Sequence, residues 1–119
     1  MKKEDKFKSK IRLNDAEEFI RSAKDNLEKE RYKASLDHSI DAVIAANDAF
    51  TISFIEQIPS TDHKEAGKKV GENKASEIAL LLEERHRRTY RSVPVTKNLA
   101  EITLKKSQRF LEWVKSKIE

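Results

Sequence analysis

Polar and apolar positions follow a helical period along most of this chain, and one stretch stands apart because residues 34–55 contain no lysine or arginine. Thirteen of these 22 residues are apolar. Leu36, Ile40, Val43, Phe50 and Phe54 recur at threes, fours and sevens and make one stripe of an α-helix; Ala42, Ala45, Ala46, Ala49 and Ile52 make a second. A helix apolar on two sides belongs at the centre of a bundle, where its alanines let neighbouring helices come close. It is too polar to span a bilayer. Asp37, Asp41, Asn47 and Asp48 interrupt it, and its longest apolar run, residues 42–46, is far short of the roughly 20 residues a membrane helix needs.

The flanking patterns predict the remaining elements. Asn14 followed by Glu17 has the form of a capping box, and Ala16, Phe19, Ile20, Ala23 and Leu27 then carry a helix over 14–30. Arg31 and Tyr32 leave little room for a loop, so this helix and the central one, 32–57, should form an antiparallel hairpin. Pro59 ends the central helix. Ser60, Thr61 or Asp62 caps a short third helix with Ala66 and Val70, weakened by Gly67 and Gly71. Asn73 caps a fourth, 74–91, whose inward stripe is Ile78, Leu81, Leu82 and Arg85. Pro94 breaks the chain, and a fifth helix, 97–118, presents Ala100, Leu104, Ser107, Leu111, Val114 and Ile118, widened by Phe110 and Trp113. The fold class is all-α, an up-and-down bundle of four to five helices.

Composition sharpens this picture. Glycine and proline number two each in 119 residues and 39% are charged, which favours long helices over sheets. The absence of cysteine excludes disulfides and thiolate metal sites, and no stretch resembles a signal or lipidation segment, so a cytoplasmic location is expected. The net charge of +4 sits at one end: residues 1–12 hold six basic and two acidic residues, and the rest carries 19 of each sign. Residues 1–13 therefore read as a basic, disordered tail and 14–119 as the bundle domain. As a function, such a tail could touch phosphates; otherwise it is a solvated end.

Arginine carries the candidate chemistry, since four of the eight lie between 85 and 91. On a helix, Arg87 and Arg91 fall opposite the apolar stripe, Arg85 falls within it, and Arg88 lies at its edge. A guanidinium pointing inward needs a partner. Either Asp37, Asp41 and Asp48, which share one line of the central helix, receive it, or it faces a groove where phosphate does. His38, His63 and His86 are isolated and form no ligand set, so no metal and no cofactor is expected. Glu83 and Glu84 point to different faces and are not a catalytic pair.

The string RYKASLDHSIDAVIAANDAF after an amphipathic first helix, the Ser60-Thr61-Asp62-His63-Lys64 start of a short helix, RHRRTY, and TKNLAEITLKKSQRFLEWVK together resemble the HEPN domain (higher eukaryotes and prokaryotes nucleotide-binding) over about residues 14–118. The resemblance implies a helical bundle, a homodimer, frequent pairing with a minimal nucleotidyltransferase, and metal-independent ribonuclease activity in many members. The family's ribonuclease motif is an arginine followed after four to six residues by histidine. Arg85 matches the arginine; Tyr90 stands at the four-residue spacing, and no histidine follows His86. Arg31 to His38 fits by count but straddles the start of the central helix. Without an imidazole to move the 2′-hydroxyl proton, cleavage lacks its usual agent. The reading is a non-catalytic, nucleotide- or RNA-binding protein, or a nucleotidyltransferase partner in a toxin-antitoxin-like pair, with Arg85, Arg88 and Tyr90 as binding candidates. A departed ribonuclease and a plain interaction bundle stay open.

Overall fold

The computed structural model describes residues 3–56, 81, 83–85 and 93–118. Among the described residues there is no strand. Three long helices carry the fold: α1, Lys3–Glu28; α2, Tyr32–Glu56; and α3, Lys97–Ile118. Leu81 and residues 83–85 are helical as well. The expected short helix of the sixties and most of the expected helix 74–91 lie outside the described residues.

The central position of α2 follows from its two stripes. Leu36, Ile40, Ala42, Val43, Ala45, Ala46 and Ala49 are all buried, and they form one cluster with Leu13, Ala16, Ile20 and Ala23 of α1 and Leu104, Phe110, Leu111 and Val114 of α3. Small residues face each other along the α1–α2 contact. Ser9, Ala16 and Ala23 are spaced by sevens on α1, Ser35, Ala42 and Ala49 by sevens on α2, and all six are buried. The backbones come so close that side-chain hydroxyls cross between them: Ser9 Oγ donates to the Ala49 carbonyl (3.0 Å) and Ser35 Oγ to the Ala23 carbonyl (2.8 Å). These two pairs and the contacts of Ser22 with His38 and Arg12 with Asp48 are all centred on residue 29 or 30, which fixes an antiparallel register about the turn.

α3 runs parallel to α2. Phe50 and Trp113, late in each, have ring centroids 4.9 Å apart, while Tyr32 and Lys97, which begin the two helices, line one cavity with Leu104. Lys115 Nζ of α3 reaches Glu17 Oε1 of α1 at 2.6 Å. α3 starts as its sequence requires: the Leu99 amide donates to Thr96 Oγ1 (3.1 Å), a side-chain cap that satisfies an orphan donor of the first turn.

The start of α1 corrects the expected boundary. Residues 3–13 are helical, so the basic segment is part of α1 rather than a disordered tail, and Asn14 is an exposed mid-helix residue instead of a cap. Ser9 and Leu13 continue the inward period of Ala16, Ile20 and Ala23, and both are buried. Helical propensity therefore has tertiary packing to support it through this lysine-rich stretch.

The hairpin turn has an unusual occupant. Glu30 adopts φ 62°, and the amides of Arg31 and Glu30 donate to the carbonyls of Asn26 (2.7 Å) and Leu27 (3.1 Å), closing the C-terminus of α1 with a left-handed residue. Glycine normally takes that place, because a Cβ there costs roughly 1–2 kcal/mol. Glu30→Gly is therefore expected to raise stability by about 0.5–1 kcal/mol in urea unfolding. A lower midpoint would refute this account of the turn.

Candidate functional site

Asp37, Asp41 and Asp48 fall on one line of α2 because they are spaced four and seven residues apart. The structure divides that line between two arginines. Arg85, one turn beyond buried Leu81, points Nη1 at Asp41 Oδ1 (2.7 Å) and Nε at Asp37 Oδ1 (3.6 Å). Lys33 Nζ meets the other Asp37 oxygen at 2.6 Å. Two carboxylates thus face one guanidinium and one ammonium, and the group is formally neutral. Asp37 Oδ1 is buried and makes no hydrogen bond among the described residues, so the Arg85 charge nearby is what compensates it. The side chains of Arg85, Asp37 and Asp41 are 35%, 25% and 27% exposed. At that exposure each ion pair contributes on the order of 0.2–1 kcal/mol, enough to orient the guanidinium and too little to bind it irreversibly.

Asp48 turns instead to Arg12. The Arg12 guanidinium bridges Asp15 Oδ2 through Nη1 and Asp48 Oδ2 through Nη2, each at 2.8 Å, and so ties α1 to α2. Burial pushes its pKa down, but the hydrogen bonds to Asp48 and Asp15 and their charges outweigh burial, and the pKa is raised. A raised folded pKa means that the stabilisation is fully present below the unfolded value; it is lost only as strongly alkaline solution is reached. Sequence reasoning missed Arg12 by assigning it to the tail; the signal available was Asp15, one turn further along the same helix.

Arg88 and Tyr90 lie outside the described residues, as do Arg87, Arg91, His63 and His86. His38 is a bundle histidine: its Nδ1 pairs with Ser22 Oγ of α1, and its ring meets the edge of Phe19 at 6.1 Å and 67°. Among the described residues no group of three or more His, Cys, Asp or Glu side chains is arranged to hold a metal ion.

The helical order, with an inward Arg85 after the central helix, now meets an independent comparison. Residues 9–117 match the sequence model of the HEPN domain. The chain belongs to the HEPN domain family. No curated protein and no solved structure matches it. Its function is accordingly of the HEPN type, related to nucleotides or RNA at the level of the family. The HEPN match begins at buried Ser9, inside the segment expected to be a tail, and no described helix is long and apolar enough to cross a membrane.

Proposed function

We propose that this chain is a non-catalytic HEPN protein that, as a homodimer, binds a phosphate of RNA or of a nucleotide at Arg85, with a minimal nucleotidyltransferase as its partner in a toxin-antitoxin-like pair. The observation that supports this reading is the posture of Arg85. Its Nη1 donates to Asp41 Oδ1 and its Nε lies 3.6 Å from Asp37 Oδ1 as an ion pair without a hydrogen bond, while Nη2 has no partner among the described residues and the side chain is about one third exposed. A guanidinium held on two sides is pre-oriented to present its remaining N–H groups to an oxyanion. At the four- to six-residue spacing after it stand Tyr90, Arg91 and Ser92, and His86 follows it directly, so no imidazole occupies the motif's place for acid-base cleavage. The homodimer rests on the resemblance to the HEPN family, since the apolar faces of α2 and α3 are used within the bundle itself. Wild-type protein is therefore expected to bind labelled single-stranded RNA and leave it intact in chelator, with Arg85→Ala weakening binding at least tenfold. Metal-independent cleavage that disappears in Arg85→Ala would replace this reading with a ribonuclease.

The neutral charge group favours a second reading, in which Arg85 is satisfied internally and the chain acts only through a protein partner. Absence of nucleotide and RNA binding by the wild type and by Asp41→Asn alike would select it.

A further inference from the structure

The first turns of α1 begin six residues ahead of the HEPN match, Lys3 against residue 9, and their outward side is unlike the rest of the helix. Phe7 is 65% and Ile11 42% exposed, the two most N-terminal of the exposed large apolar side chains. They lie one turn apart on one face. Lys6 and Lys10, also one turn apart and exposed, run along one flank of that face, and Lys8 lies on the other. None of the three lysines has an ion-pair partner among the described residues. Opposite this face, Ser9 and Leu13 are buried, so the outward side is free of any role in holding α1 to α2.

Charge and size decide what fits. A second copy docking symmetrically would set lysines against lysines, which repels. A bilayer calls for an apolar face that persists along the helix, whereas this one gives way after Ile11 to Asn14, Glu18, Arg21 and Asp25, all of them polar or charged. An exposed aromatic ring beside a row of cations matches the pattern by which single-stranded nucleic acid is held, a base stacked on the ring and phosphates on the row.

We propose that the outward face of α1 from Lys6 to Ile11 is a contact surface for single-stranded RNA, with Phe7 stacking on a base and Lys6 and Lys10 holding neighbouring phosphates. This surface is separate from the Arg85 groove and stands or falls independently of it.

The test is fluorescence anisotropy of the full chain with a fluorescein-labelled single-stranded oligoadenylate, in chelator, across a range of salt. Lys6→Gln with Lys10→Gln should lower the slope of log Kd against log salt by about 1.4, roughly 0.7 for each phosphate contact removed. Phe7→Ala should weaken binding about fivefold or more, and Phe7→Leu should do nearly the same, since it keeps apolar area and loses the stacking ring. All these positions are exposed, so the circular dichroism melt should be unchanged. An unaltered salt slope, full affinity in Phe7→Leu, equal competition by polyglutamate, or tighter binding to vesicles of phosphatidylserine and phosphatidylcholine than to the oligonucleotide would each overturn the proposal. If Arg85→Ala abolishes binding while the α1 variants do not, this surface is refuted and the Arg85 groove is kept; the reverse result separates the two the other way.

Discussion

Ala42→Leu should cost about 3 kcal/mol or unfold the protein, whereas Asn14→Leu should change stability by no more than about 0.5 kcal/mol. Ala42 is fully buried and lies, by the hairpin register, opposite Ala16, in the middle of the seam of small residues. A leucine there has no cavity to enter. The helices would have to separate, and overpacking alone typically costs about 1–3 kcal/mol. Separation would also break the Ser9–Ala49 and Ser35–Ala23 hydrogen bonds, leaving buried groups unpaired at roughly 1–3 kcal/mol each. Asn14 is exposed on the far side of α1 and takes part in none of this. Urea unfolding followed by circular dichroism, with fluorescence of the single tryptophan, Trp113, as a second probe of the α2–α3 contact, measures both. A loss below 1 kcal/mol at position 42 would show that the seam is less close-packed than described.

Opposite effects on binding are expected from the two sides of one ion pair. Arg85→Ala removes the cation, and a charge-assisted hydrogen bond to phosphate of about 1.5–3 kcal/mol goes with it, a loss of roughly tenfold to a hundredfold. Asp41→Asn removes a carboxylate that competes for the same guanidinium at 2.7 Å while keeping the shape of the side chain. Affinity should then rise, by about threefold to tenfold, because an exposed pair of this kind is worth up to about 1 kcal/mol and the repulsion of a second anion is relieved as well. A purely structural Arg85 gives a different result: both substitutions lower the melting temperature and neither moves the dissociation constant. Titration of a labelled RNA with the two variants and the wild type, beside their melting curves, distinguishes the cases.

What could be read from the sequence depended on how clean the local contrast was. The central helix was legible because a run without lysine or arginine and with thirteen apolar residues belongs inside a bundle, and Leu36, Ile40 and Val43 of one stripe and Ala42, Ala45, Ala46 and Ala49 of the other are buried, with Phe50 and Ile52 partly so. The inward direction of Arg85 was legible from its distance to Leu81 and Leu82, and the aspartates that meet it from their common line on α2. The first turns of α1 were hidden by their own charge. Six basic residues in twelve suggest a solvated tail, yet lysines on the outward side leave the inward period of Ser9, Leu13, Ala16 and Ile20 intact, and serine does not register as apolar when it fills a close contact. With Arg12 counted in the tail, the partner of Asp48 could not be found either. The turn was legible by its shortness but not by its chemistry, since glutamate at positive φ is a choice no composition rule anticipates.

The common centre of the α1–α2 contacts also bears on the order of events during folding. Every pair along that seam is reached by zipping outward from a turn of Lys29, Glu30 and Arg31, so each step closes only a short additional loop and little chain entropy is spent before contacts form. α3 must be brought in from more than forty residues further along the chain, against a surface that the hairpin has already built. Ala23→Gly, beside the turn, should therefore slow folding, while Val114→Ala should chiefly speed unfolding, a division that stopped-flow chevron plots read directly. On this view the hairpin is the template of the protein, and α3 arrives on it last.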